Sequence, residues 1–185
     1  MTDAIKNIVH VSDLSTYFFD KLHFQNSSSL CPVPEEMLLY SSQVLNKYSL
    51  SSEFFEMKNG KVSSKILGLE ALSARAKSMS EQKKIYKDIA DTALVLTGFF
   101  GESINKKIID KSYYIQLGQM AYSKVHSLDV TFLDMPHFYK RMSSSFPILM
   151  ELIKSLSCEL NFQEQLSDNE LLIRGIIPGD ELKVS

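Results

Sequence analysis

Residues 86–125, YKDIADTALVLTGFFGESINKKIIDKSYYIQLGQMAYSKV, hold the most apolar helix candidate in the chain and its densest run of small and aromatic packing residues. Ile85, Ile89, Thr92, Ala93 and Leu96 recur at steps of three and four, while Leu94, Val95, Phe99 and Phe100 fill the opposite side. A helix apolar nearly all round belongs inside a protein rather than on its surface. The spacing therefore predicts a buried central helix at about 81–100, capped by Ser80 and paired in a hairpin with a helix from Tyr113 to His126 capped by Ser112. Gly101 is expected to be its left-handed stop and Gly98 a point of close packing.

Outward from this hairpin, apolar spacing predicts more helices and no sustained two-residue alternation. A stripe of Ile5, Ile8, Val9, Leu14, Tyr17, Phe18 and Leu22 marks an N-terminal helical arm within residues 1–30, with Asn26–Ser29 as a polar linker. Pro34 is placed to open the helix PEEMLLYSSQVLNKY, and Glu35 and Glu36 suit the positive end of its dipole. Phe54 and Phe55 precede the turn signal Asn59-Gly60, read as a loop. Ser63 or Ser64 then caps a helix through Ile66, Leu69 and Leu72. A short helix is expected at Ser103–Ile109. A longer one spans Thr131–Leu160, kinked near Ser143–Ser145 because Pro147 lacks an amide hydrogen and crowds the carbonyl of Ser143. A last short helix, Asp168–Arg174, sits in the 161–185 tail. The fold class expected is all-α, one domain over residues 1–185, a bundle of about seven helices.

The 185 residues are 44% hydrophobic and 23% charged, ordinary values for a globular chain that needs neither metal nor disulfide to fold. A formal net charge of −2 supplies no field for nucleic acid. Lys83-Lys84, Lys106-Lys107 and Lys140-Arg141 lack the aromatic interleaving of RNA readers and read as solvated faces. The longest uncharged apolar-rich run, Thr92–Phe100, falls well short of the roughly 20 residues that span a bilayer. The opening MTDAIKNIVH does not look like a secretory signal. Cys31 and Cys158 lie far apart with no CxxC, which suggests inert thiols in a reducing, cytoplasmic setting.

The string LVLTGFFGES at Leu94–Ser103, followed by YYIQLGQMAY at Tyr113–Tyr122, resembles a family of bacterial helical proteins. Its members share an apolar helix ending in Gly-Phe-Phe and a following Tyr-Tyr, Gly, Ala-Tyr helix. Glu170–Pro178 is more weakly similar. The resemblance implies a bacterial, cytosolic, all-helical protein; the family has no assigned activity, so it carries no catalytic residue over.

Among candidate sites, Asp91 stands out, one turn after Asp88 in a helix otherwise too apolar for a carboxylate. Such a group must be paired, hydrogen-bonded or shifted in pKa. A bond to a tyrosine or to backbone amides is preferred over a metal or proton-transfer role. The Glu-x-x-His pairs of di-iron bundles are absent. Tyr113, Tyr114 and Tyr122, with Gly118 and Ala121 thinning the helix between them, could line a pocket for a small apolar ligand together with Phe99 and Asp91; core packing is the plainer reading. His126, Asp129, Asp134 and His137 fall within twelve residues around a helix junction, where a loose metal site is the lesser reading; the plainer one puts His126 in the last turn of its helix. A metal-dependent enzyme on Asp88, Asp91 and His126 ranks last, and no metal or cofactor is expected. With 11 Phe, 8 Tyr and 8 Met, more apolar surface is present than one small core readily covers. The leading expectation is thus a non-enzymatic interaction or regulatory protein forming a homodimer or holding a protein partner, with Phe146, Leu149, Met150 and Ile153 as the contact.

Overall fold

The computed structural model describes residues 14–49, 76, 78–101, 111–128 and 137–166, with side chains as far as Glu159. They form six helices: α1 (Leu14–Ser27), α2 (Glu35–Ser49), α3 (Met79–Phe99), α4 (Lys111–Leu128), α5 (Phe138–Ser144) and α6 (Phe146–Leu166). Among the described residues there is no strand, and no helix is long and apolar enough to cross a membrane. The expected elements at residues 5–9, 59–74, 103–109 and 168–174 lie outside the described residues.

Helix α3 is the interior element that its composition demands. Every position from Ile89 to Gly98 is buried. Its start is set by Ser78 rather than Ser80: Ser78 is extended, and its hydroxyl accepts the Glu81 amide at 3.1 Å. The Ser-x-x-Glu spacing of a capping box explains the choice, since Ser80 would place no acid three residues on. Its end also differs from expectation, because Gly101 does not take the left-handed backbone. The Phe100 amide closes the last turn on the Leu96 carbonyl at 3.2 Å, leaving Gly101 nothing to reverse.

Helix α4 runs antiparallel to α3, since Asp91 meets Tyr122 whereas the later Gly101 lies against the earlier Lys111. Ser112 falls inside α4 instead of capping it. Helix α6 also packs on α3, and at Gly98 the two approach closely: a Cβ there would lie 2.8 Å from Ile153 Cβ and 3.2 Å from the Met150 carbonyl. The Ser157 hydroxyl donates to the Phe99 carbonyl at 3.0 Å, satisfying an end of α3 that has no partner within the helix. On the other side of α6 packs α1, through the ion pair of Lys21 with Glu159.

Two boundaries were read too simply from sequence. Asn26 is not linker but the buried last turn of α1, where its amide donates to the Val33 carbonyl at 3.0 Å and accepts the Val33 amide at 2.9 Å. That pair ties the α1–α2 connection and explains why a polar residue sits inside. The expected Thr131–Leu160 helix is instead two helices within its described part. They break at Ser145, within the expected kink region before Pro147, whose ring is tolerated in the first turn of α6. No helix can run through His137, which has φ 64° and starts α5.

All six helices feed one buried apolar cluster. Phe146, Leu149, Met150 and Ile153 belong to it and are at most 5% exposed, so they are not the dimer contact expected of them. Gly98 and Gly118 let α6 come close enough to bury that face. Phe138 is half-buried against Tyr40, at 5.3 Å between ring centres. Phe54, Phe55, Phe132 and Phe162 lie outside the described side chains. Apolar residues that remain open include Phe24, Leu30 and Leu39 of the α1–α2 hairpin, and Met79, Tyr113 and Met120.

Candidate functional site

Where α2, α3 and α4 meet, a carboxyl group is buried among tyrosines. Asp91 of α3 is 1% exposed. Its Oδ1 accepts from Tyr40 Oη of α2 at 2.7 Å and from Tyr122 Oη of α4 at 2.8 Å. Among the described residues its Oδ2 makes no hydrogen bond, while Lys87, one turn earlier on the same helix, brings Nζ to 3.6 Å. The same ammonium lies 5.2 Å from the centre of the Tyr40 ring, a favourable cation–π arrangement. Three helices thus converge on one oxygen.

A second polar contact lies beside it. The Thr92 hydroxyl donates to the Asp88 carbonyl at 2.6 Å, and it sits 2.6 Å from Tyr48 Oη. A threonine hydroxyl has a single proton, so with that proton on the carbonyl it is Tyr48 that donates to Thr92. Lys47 meets Asp88 at 3.0 Å. Asp88 therefore faces a lysine of α2 and does not pair with Asp91.

An aromatic shell closes the centre. Tyr40 packs edge-on to Phe138, Tyr139 and Tyr122, and Tyr122 stacks on Tyr139 and leans on Phe146. The Phe146 ring occupies the space that Gly118 leaves open: a Cβ on Gly118 would come within 2.4 Å of it. Ser143 of α5 and Gln119 of α4 hold this side together, the Ser143 hydroxyl donating to the Gln119 carbonyl at 2.7 Å.

Burial dominates the electrostatics. It raises the Asp91 pKa above 3.8, against the opposing pull of Lys87, Tyr40, Tyr122 and Lys47. Burial and then the neighbouring Asp91 raise both Tyr122 and Tyr40. The phenols are accordingly fixed as donors, not bases. A carboxyl whose folded pKa is raised contributes stability below the unfolded value that is lost as pH rises through the folded value. The stability of wild type relative to Asp91→Asn is therefore expected to fall as pH climbs from about 4, when both are unfolded in urea at matched pH. A difference that grows with pH would place the carboxyl below its ordinary value instead.

Of the five residues singled out from sequence as ligand-binding, Asp91 and Tyr122 are joined by a hydrogen bond. Tyr114 is buried two turns before Tyr122, Tyr113 is 38% exposed beside it, and Phe99 is half-buried against Phe100. Sequence reading missed Tyr40 as the second donor. The signal was present in its hydroxyl, on the helix α2 that also carries Tyr48, but nothing in sequence links residue 40 to residue 91. Asp88, Asp91 and His126 do not come together as ligands: among the described residues no three His, Cys, Asp or Glu side chains could hold one metal ion. Cys31 and Cys158 are free and exposed. Comparison with known protein families, curated proteins and solved structures finds no match to this chain, so its functional reading rests on its own residues.

Proposed function

We propose that this chain is a non-enzymatic helical interaction protein of the cytoplasm, a single-domain bundle of about seven helices that self-associates as a two-fold homodimer. The observation that carries the reading is the outer surface of α1 and α2. There Phe19, Leu39, Glu35 and Glu36 line a shallow cavity of about 320 Å³, with Leu39 48% exposed. Full burial of a leucine is worth about 1.5–3 kcal/mol, and covering the open half of Leu39 would contribute a share of that to a pair. In a two-fold pair the Leu39 of each copy enters the recess of the other. Of the two acidic residues on its rim, Glu36 is already met by Arg141 at 2.6 Å. The alternative is a small apolar ligand among Tyr113, Tyr114, Tyr122 and Phe99, of which Tyr122 already leans on the Phe146 ring. Both readings suit the resemblance of Leu94–Tyr122 to helical proteins without an assigned activity.

Sedimentation velocity at micromolar concentration tests the proposal. Wild type is expected to sediment as a dimer, and Leu39→Glu as a monomer with unchanged far-UV circular dichroism. A wild type that is monomeric at every concentration would overturn it.

A further inference from the structure

We infer that pairing through Leu39 is opposed by Glu35 and tightens as ionic strength rises. This rests on the two-fold pair proposed above and concerns the regulation of that same face. Glu35 and Leu39 stand one turn apart on α2, and both line the recess with Phe19 and Glu36. Glu35 is exposed, and no cation among the described residues meets it, whereas Glu36 is held by Arg141. On α1, Asp20 next to Phe19 is exposed as well, while Lys21 is taken up by Glu159. His23, whose ring lies 5.8 Å from that of Phe19, is the other titratable group there. The apolar centre of this face is therefore bordered by negative charge that its own lysine and arginine do not offset.

A two-fold axis turns that charge against itself, because each face meets its own copy instead of a complementary basic surface. When Leu39 of one copy enters the recess of the other, its own Glu35 travels with it, since residues four apart on a helix are neighbours at about 5–6 Å. The two Glu35 carboxylates then stand on the order of 10 Å apart, comparable to the screening length of about 10 Å at 0.1 M salt and well inside the roughly 30 Å at 0.01 M. Like charges at that distance near a protein surface weaken association about fivefold. Burial of Leu39 drives the pair, and added salt does not weaken apolar burial. Salt thus removes the opposing force and leaves the driving one, the reverse of an interface built on ion pairs.

The test is sedimentation velocity of the full chain in about 0.01 M and about 0.5 M sodium chloride. The wild-type dimer is expected to be about fivefold tighter at the higher salt. Glu35→Gln is expected to pair more tightly than wild type at low salt and to lose most of the salt dependence, the remainder being the effect of salt on apolar burial. Far-UV circular dichroism shows that this variant folds. A dimer whose affinity is unchanged or falls with salt, or whose salt dependence is the same in Glu35→Gln, overturns this inference and leaves the pair through Leu39 standing. Wild type and Glu35→Gln that are both monomeric at both salt concentrations overturn the pair, and the inference with it.

Discussion

Asp91→Ala is expected to lower stability by about 3 kcal/mol in urea denaturation, with the dependence on denaturant concentration unchanged. The loss does not come from the carboxyl itself, whose burial is costly. It comes from the hydroxyls of Tyr40 and Tyr122, which both donate to Oδ1 and would lose that shared acceptor, so that at most one of them could be satisfied by the other's oxygen. Each unsatisfied buried hydroxyl costs about 1–3 kcal/mol. The same reasoning predicts that removing all three groups together is milder than removing the acid alone. Asp91→Leu combined with Tyr40→Phe and Tyr122→Phe leaves no orphaned donor, and replacing a buried polar cluster by apolar groups of similar volume is often neutral. An Asp91→Ala protein that unfolds at the wild-type midpoint would mean that the tyrosines do not depend on this carboxyl.

Gly118→Ala is expected to destabilise by about 2 kcal/mol, although alanine is the better helix former by about 1 kcal/mol. The added methyl would stand 2.4 Å from the Phe146 ring and 3.2 Å from Ala93 Cβ. The ring cannot step aside freely, because Phe146 is wholly buried and already leans on Tyr122. Trimming that ring should reverse the sign: in a Phe146→Leu background, Gly118→Ala should be neutral or stabilising. Thermal melts of the four proteins measure the coupling. Strict additivity would show that the glycine and the ring do not compete for one space.

The first of these sites was legible in sequence and the second was not. The periodicity of Ile89–Leu96 was enough to place α3 inside, and a carboxylate in that setting had to find a partner, which proved to be tyrosine. Pro147 likewise announced a break, which came at Ser145. What could not be read was anything set by distant pairing. Tyr40 lies 51 residues from Asp91, and the fit of Phe146 against Gly118 depends on how α6 crosses α4. For the same reason the apolar face of α6 looked available in sequence, when two glycines allow it to be buried. Asn26 was misread because a polar residue late in α1 resembles a linker until its bonds to Val33 are seen.

The proposal that this protein works through its surface, carried by the half-open Leu39, has one direct test. Native mass spectrometry of the purified chain tests that most directly, since one spectrum reports both assembly and any retained small molecule. The expected result is a dimer of the 21.0 kDa chain with no organic ligand. A monomer carrying a stoichiometric small molecule would contradict the account and place the activity inside the helices.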